Sequence, residues 1–229
     1  KTNPNLLEAV NNWFENDRLN SVHAYIYKKY FKAPKEKWEE YNGEFSSLNG
    51  NRISNYDELL REYSDIIDWD WRLLAAQMYQ ESKFNEDARS WAGAFGLMQF
   101  MPATAKMYGV DSASAPREHI RGAILHLSRL ESFWQDRIPD PENRIHFTLA
   151  SYNAGLGHVL DAVNLAAELG YDPMIWENNV AECIKLKSQK EYYTSDVVKH
   201  GYCRGEEPVT YVKKIIDQYR HYSRVIDQS

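Results

Sequence analysis

Apolar residues recur at helical spacing along most of the chain, and this pattern predicts a mainly α-helical fold. Between Pro4 and Phe31 they fall three or four positions apart, which indicates two helices joined by a short polar link. Residues 33–55 are polar, contain glycines and show little periodicity, as is typical of a linker. Beyond this segment the helical pattern is nearly continuous, and the alternation typical of strands is scarce.

Helix boundaries in the second part of the chain are marked by capping residues. Asp57 and Asp70 stand before apolar periodic runs, where a carboxylate can cap the first turn of a helix. Pro102 suits the first position of a further helix. Later helices are predicted in the segments PREHIRGAILHLSRLESFWQ, ENRIHFTLASYNAG, GHVLDAVNLAAELG, WENNVAECIKL and PVTYVKKIIDQYRHYSRVID.

Composition narrows the range of functions. The chain has 229 residues and a formal net charge of −6, which fits one large domain and argues against nucleic acid as a partner. Tyrosine and tryptophan are abundant, at 16 and 7 residues, and such rings line sugar-binding and partner-binding surfaces as well as cores. Cys183 and Cys203 lack metal-ligand spacing, so they form either a disulfide or two buried thiols.

A carboxylate at the end of an apolar helix is the first candidate for chemistry. In the stretch WRLLAAQMYQES, Leu74, Met78 and Glu81 fall on one helical face. Desolvation at the end of that apolar stripe would raise the pKa of Glu81 toward the range that a general acid requires. The alternative is a solvated helix end, in which Glu81 faces water or pairs with Lys83.

A glycine-containing motif, GAFGLMQFMPATA, follows this helix. Gly93 and Gly96 allow a tight turn and close approach of a ligand to the backbone. Met98 offers a soft apolar surface, and Gln99 offers an amide that both donates and accepts hydrogen bonds. The alternative is a structural turn in which Met98 fills the core.

Two more motifs supply polar residues at helix ends. LASYNAGLGHV leaves Tyr152 and Asn153 at the end of a helix, although a routine C-terminal cap would have the same residues. In GEEPVTYVKKI, Glu207 and Tyr211 are one turn apart on one face. Glu207 could equally serve only to favour the helix N-terminus through the helix dipole.

The four motifs, in this order, resemble the soluble lytic transglycosylase (SLT) family, which implies a lysozyme-like fold of the goose type. The late segment LKSQKEYYTSDVVKHGYCRGEEPVTYV resembles the membrane-bound lytic murein transglycosylase F group, in which a solute-binding-protein-like domain precedes the catalytic domain. The resemblance implies that residues 1–32 are the last helices of a truncated domain of that kind. Residues 33–55 are then a linker, and residues 56–229 are the catalytic domain.

The resemblance also implies a reaction and a set of site residues. Glu81 would protonate the glycosidic oxygen between N-acetylmuramic acid and N-acetylglucosamine, and would then accept the proton of the muramyl 6-hydroxyl as a 1,6-anhydro ring forms. No metal and no organic cofactor is implied. The residues implied to bind substrate are Ser82, Met98, Gln99, Tyr152, Asn153, Glu207 and Tyr211.

The biological setting follows from the same resemblance. It implies peptidoglycan strands as partner, a monomer, a role in cell-wall turnover, and a periplasmic location with attachment to the outer membrane. It further implies a regulatory muropeptide bound by an N-terminal domain that the chain lacks. Two alternatives stay open: a lysozyme-like hydrolase, which needs a second carboxylate from Glu86, Asp87 or Glu207, and a non-catalytic peptidoglycan-binding module.

Overall fold

Helices make up the regular structure of residues 52–226, which the computed structural model describes. Within that range no strand forms, and pairing of extended backbone is limited to isolated bridges that join Phe95 to Arg89 and to Phe100. The predicted mainly α fold is therefore confirmed. The predicted remnant at 1–32 and nearly all of the linker at 33–55 lie outside the described residues. The helices are α1 (Asp57–Ser64), α2 (Trp71–Ser82), α3 (Pro102–Met107), α4 (Pro116–Gln135), α5 (Pro141–Ala154), α6 (Leu156–Leu169), α7 (Ala181–Leu186), α8 (Lys190–Tyr193) and α9 (Glu206–Val225).

Helix α2 lies at the centre of these helices. Every residue from Trp71 to Met78 is buried, and a helix that is buried on all sides must be surrounded by other elements. Helices α1 and α9 pack against it, and α5 packs against α4, α6 and α9. This arrangement places the end of α2, where Glu81 lies, against the long final helix.

The two predicted aspartate caps have different outcomes. Asp70 precedes α2 and accepts a hydrogen bond from the backbone N–H of Arg72 at 2.9 Å, which confirms the predicted cap. Asp57 lies inside the first turn of α1, so the prediction that it caps this helix is wrong. Its carboxylate instead accepts the backbone N–H groups of Ile53 and Ser54 at 2.7 and 2.8 Å, which ties the preceding segment to the helix.

The segment WENNVAECIKL does not form the single helix that its periodicity predicts. Glu177 and Asn178 have non-helical backbone angles, and the φ of Asn178 is +59°. Asparagine tolerates this left-handed conformation better than most residues. A regular helix therefore begins only at α7, after the irregular segment Trp176–Val180.

Helix α9 begins at Glu206, earlier than the predicted start at Pro208. The residue before it, Gly205, has no room for a side chain, because a Cβ atom there would lie 1.9 Å from the carbonyl oxygen of Ile184. Glycine therefore allows the N-terminus of α9 to pack directly on the backbone of α7. This contact fixes the start of the helix that carries Glu207 and Tyr211.

Candidate active site

Glu81 lies in the last turn of α2, where the chain changes direction sharply. Lys83 and Phe84 both have left-handed backbone angles, with φ of +56° and +63°. Such angles are uncommon for residues other than glycine, and two in succession end the helix. Glu81 is consequently held at the tip of a buried helix and remains only partly exposed.

The carboxyl group of Glu81 is desolvated and receives a hydrogen bond from α9. The Tyr211 hydroxyl donates to Glu81 Oε1 at 2.5 Å, and Gln77 Nε2 donates to the Tyr211 oxygen at 3.2 Å. Burial raises the pKa of Glu81 to about 7, although the hydrogen bond from Tyr211 opposes the rise. Among the described residues no cation pairs with this carboxyl group, so a large protonated fraction persists near neutral pH.

Lys83 does not neutralise Glu81, although the sequence left that pairing open. Its ammonium group lies 3.7 Å from the centre of the Tyr79 ring, in a cation–π contact. Burial and the nearby charge of Lys214 lower the pKa of Lys83. The structure therefore favours the desolvated acid over the solvated helix end.

The side chain of Gln99 stabilises the GLMQ turn. Gln99 Nε2 donates to the carbonyl oxygens of Ala88 and Gly96 at 3.1 and 2.9 Å. The Met98 side chain is 1% exposed and belongs to the core. The carbonyl oxygen of Met98 accepts the Tyr152 hydroxyl at 2.8 Å, so the turn is attached to α5.

Tyr152 is close to Glu81 but does not hydrogen-bond to it. Burial, followed by the charge of Glu81, raises the pKa of Tyr152 well above its usual value. Its ring lies 5.5 Å from that of His126, whose Nδ1 lies 3.1 Å from the Tyr108 hydroxyl. Sequence reasoning missed Tyr108 and His126, because they belong to none of the four motifs.

A shallow surface depression lies beside the hydrogen bond between Tyr211 and Glu81. Tyr211 forms this hydrogen bond and also lines the depression, together with Asn153 and Glu207. The structure thus brings together three residues that the sequence predicted from two separate motifs. Ser82 is placed differently: it is buried, and its hydroxyl donates to the carbonyl of Met78 at 3.3 Å.

The predicted second carboxylates lie at the surface. Glu86 and Asp87 line a different depression, which is bordered by His119, and Glu207 lies 3.5 Å from Arg204. In residues 52–226 none of the three forms a hydrogen bond with Glu81. Within the same range no group of three or more His, Cys, Asp or Glu side chains is placed to hold a metal ion.

Gln77 is a site residue that sequence reasoning passed over. It is fully buried, and it orients the hydroxyl that contacts the catalytic candidate. The signal was present, because Gln77 interrupts an apolar run one turn before Glu81. A polar residue inside a buried helix needs a hydrogen-bond partner.

Cys183 and Cys203 are free thiols, and both are buried. Of the two alternatives that the sequence left open, the structure shows the unpaired one. Burial raises the pKa of Cys183 to about 11, which keeps its thiol protonated and unreactive at neutral pH. No helix in the described part of the chain is long and apolar enough to cross a membrane.

Comparison with known proteins identifies relatives of this arrangement. The transglycosylase SLT domain matches residues 58–175, a range that contains Glu81, the GLMQ turn and Tyr152. A membrane-bound lytic murein transglycosylase F of Desulfosudis oleivorans is 33% identical over 214 residues, which are 93% of this chain and 46% of that protein. The protein of that name in Marinobacter nauticus is 40% identical over 177 residues, which are 77% of this chain and 34% of that protein.

Among solved structures, an inactive mutant of the lytic transglycosylase Slt from Pseudomonas aeruginosa is similar over 76% of this chain and 26% of that protein. Its sequence identity is 24% and its TM-score is 0.49. The chain therefore spans less than half the length of the relatives named here.

Proposed function

Because the chain belongs to the transglycosylase SLT domain family, we propose that it is a lytic murein transglycosylase that cleaves the glycan strands of peptidoglycan. Membership confirms the resemblance seen in the motifs and assigns the described helices to the lysozyme-like class. The observation that carries the proposal is the desolvated carboxyl group of Glu81, which has a pKa of about 7. Such a group can donate a proton at neutral pH and can then accept one.

The proposed reaction uses Glu81 twice. In the first step its carboxyl group gives a proton to the glycosidic oxygen between N-acetylmuramic acid and N-acetylglucosamine, and the bond from that oxygen to C1 breaks. In the second step the Glu81 carboxylate accepts the proton of the muramyl 6-hydroxyl, and the oxygen of that hydroxyl forms a bond to C1. The product is a 1,6-anhydromuramoyl end, no water is consumed, and Glu81 returns to its protonated form.

One carboxylate is sufficient because the nucleophile is part of the substrate. An attached hydroxyl attacks with a high effective concentration, whereas most glycosidases use a second carboxylate as nucleophile or to activate water. The surface positions of Glu86, Asp87 and Glu207 support this single-carboxylate mechanism.

The hydrogen bond from Tyr211 supports the proposed role of Glu81, whose carboxyl group must release and regain a proton. Its hydroxyl donates to Glu81 Oε1, so it stabilises the carboxylate that exists between the two steps. Desolvation acts in the opposite direction and stabilises the protonated form. Together the two effects keep the protonated and the ionised forms of Glu81 close in free energy near neutral pH.

Four of the remaining site residues divide into two groups. Asn153 and Glu207 are exposed in the depression beside Tyr211, and we assign them to direct contact with sugars. Met98 and Ser82 are buried, so they act by supporting the wall of the site.

The wider setting is part of the same proposal. The relatives are named as membrane-bound murein enzymes, and these names support a membrane-associated location. We further propose a periplasmic monomer that is attached to the outer membrane and takes part in cell-wall turnover. Control by a muropeptide would reside in an N-terminal solute-binding-like domain.

The direct test is digestion of purified peptidoglycan, followed by mass analysis of the released fragments. We expect anhydro ends from the wild-type chain, and a loss of about 10²–10⁴-fold in rate for Glu81→Gln. Glu86→Gln is the matched control, because it removes an exposed carboxylate from another depression and should leave the rate unchanged.

The products separate the proposal from its alternatives. Anhydro ends are lighter than reducing ends by one water, so a predominance of reducing ends would identify a hydrolase. Unchanged cleavage by Glu81→Gln would exclude Glu81 as the acid. Strand binding with no product from the wild-type chain would identify a binding module.

A further inference from the structure

Tyr202 and Arg204 are exposed side chains just before α9, and Tyr202 packs on the half-buried Tyr193 at the end of α8. Tyr202 is 53% exposed, and its ring meets that of Tyr193 edge to face, with centroids 5.9 Å apart. The Arg204 side chain is 68% exposed, and its Nη1 lies 3.5 Å from Glu207 Oε1. We call Tyr193, Tyr202 and Arg204 the tyrosine–arginine patch.

The backbone that carries this patch is anchored on one side by a buried carboxylate. Asp161 Oδ2 accepts the buried Lys187 ammonium at 2.7 Å. The same carboxylate accepts the backbone N–H groups of Lys199 and His200 at 2.9 and 2.8 Å. The residues directly before Tyr202 are therefore fixed to α6 and α7.

The other side of the patch is held as firmly. The N–H of Cys203 donates to the carbonyl of Lys187 at 3.2 Å, and Gly205 packs against the backbone of Ile184 without room for a side chain. Tyr202 and Arg204 are thus exposed side chains on a rigid backbone. Rigid presentation lowers the entropic cost of binding a partner.

The patch is continuous with the candidate active site. Arg204 contacts Glu207, which lines the depression together with Tyr211. Tyr211 in turn donates to the carboxyl group of Glu81. A strand that lies in the depression and extends past Glu207 therefore meets the patch next.

We propose that the tyrosine–arginine patch binds the peptidoglycan strand beyond the depression, with the exposed Tyr202 ring against a sugar face and the Arg204 guanidinium on a muramyl carboxylate. This inference rests on the proposed function. Tyrosine presents an apolar ring with a wet edge, which suits a sugar, and the guanidinium fork matches a carboxylate. A chain of net charge −6 needs such a local cation to hold an anionic polymer. The carboxylate belongs either to the lactyl group or to the stem peptide.

Binding can be measured in the Glu81→Gln background, in which turnover does not interfere. Fluorescence or calorimetric titration would compare Tyr202→Ala and Arg204→Ala with two control variants, Tyr171→Ala and Arg220→Ala. The controls remove an exposed tyrosine after α6 and an arginine near the far end of α9. The probes are long strands without peptides, long strands with peptides, muramyl tetrasaccharides, and long chito-oligosaccharides that lack carboxylates.

We expect Tyr202→Ala and Arg204→Ala each to weaken binding of long muramyl strands about 10-fold, as for the loss of one charge-assisted hydrogen bond or one aromatic contact. Binding of tetrasaccharides should weaken less than binding of long strands, because a short chain can occupy the depression without also covering the patch. Arg204→Ala should not affect binding of chito-oligosaccharides, and the melting temperatures should stay constant because both side chains are exposed.

The arms of the experiment identify the source of the carboxylate. An Arg204 effect on strands without peptides assigns the lactyl group, and an effect confined to peptide-bearing strands assigns the stem peptide. Wild-type affinity of both variants for all long strands would overturn the inference. If Glu81→Gln still abolishes cleavage in that case, the proposed function stands without the patch. If the patch binds strands but the wild-type chain releases no product, only the proposed function fails.

Discussion

Two desolvated carboxyl groups, those of Glu81 and Asp161, have opposite surroundings within the same set of helices. Glu81 accepts a neutral hydroxyl from Tyr211, and burial raises its pKa to about 7. Asp161 is also buried, which by itself would raise its pKa. Hydrogen bonds from Lys187 and from the backbone and side chain of His200, together with the N–H of Lys199, instead lower it to about 2.

The difference separates Glu81, the carboxylate proposed to carry out chemistry, from Asp161, which stabilises the structure. Asp161 is paired with a cation and with backbone donors, and this arrangement holds a loop against two helices. Glu81 lacks a cation, so ionisation of Glu81 in the folded state costs free energy. Active sites commonly retain such a cost, because full satisfaction of the group would remove its reactivity.

The largest effect is expected when the cation of Asp161 is removed. The side chains of Lys187 and Asp161 are 0% and 2% exposed, so Lys187→Met leaves a buried carboxylate without its counter-ion. We expect the free energy of unfolding, measured in urea, to fall by about 3–5 kcal/mol.

The double variant Lys187→Met with Asp161→Asn is the matched control, because it removes both charges and should recover part of the loss. Lys185→Met, which breaks a more exposed pair with Glu182, should cost less than about 1 kcal/mol. Equal losses from the two lysine variants would contradict the structural role of Asp161.

The next effect concerns the pH dependence of the free energy of unfolding that Glu81 causes. The pKa of Glu81 is about 7 in the folded chain against an ordinary value of 4.5, so between these values the folded state holds a proton that the unfolded state has released. Wild-type stability attributable to Glu81 is therefore lost as the pH rises through this window. The expected loss is about 3 kcal/mol, from ~1.4 kcal/mol per pKa unit.

Glu81→Gln carries no such titration, so its stability relative to wild type should increase from pH 4 to pH 8. Urea unfolding of both proteins at several pH values measures this difference, and all other titrating groups cancel in the comparison. A difference that does not change with pH would show that Glu81 is solvated in the folded chain.

The smallest effect concerns the hydrogen bond from Tyr211. This bond lowers the pKa of Glu81, so Tyr211→Phe should move the basic limb of the pH–rate profile to higher pH. The rate on peptidoglycan should fall about 10-fold, as for the loss of one hydrogen bond. Tyr222→Phe removes a hydroxyl from another buried tyrosine of α9 and should leave the profile unchanged.

Local signals were sufficient for most of the fold. Asp70 caps α2 through a hydrogen bond to a residue two positions away, and Pro102 begins α3. Such contacts lie within one turn and are visible in the sequence. Asp57 does not cap α1, because its carboxylate accepts a hydrogen bond from a residue that precedes it. The local sequence pattern is compatible with either arrangement.

The site was only partly accessible from the sequence, because its decisive contacts join distant segments. The motifs identified Glu81 and Tyr211, yet Tyr211 was predicted only to bind substrate, and its hydrogen bond to Glu81 spans 130 positions. The pairing of Lys187 with Asp161 spans 26 positions and has no motif. Met98 was implied to bind substrate, with a place in the core as the alternative. Its burial depends on contacts with other segments, which its neighbours in the chain do not reveal.

The packing of α2 against α9 means that the proposed acid exists only in the folded protein. In an extended chain Glu81 would be an ordinary glutamate with a pKa near 4.5, ionised at neutral pH and unable to donate a proton. Burial in the folded chain raises this pKa to about 7, so the same side chain can donate a proton at neutral pH. Under the proposed mechanism, a partly folded chain in which Glu81 is solvated would therefore leave glycan strands intact.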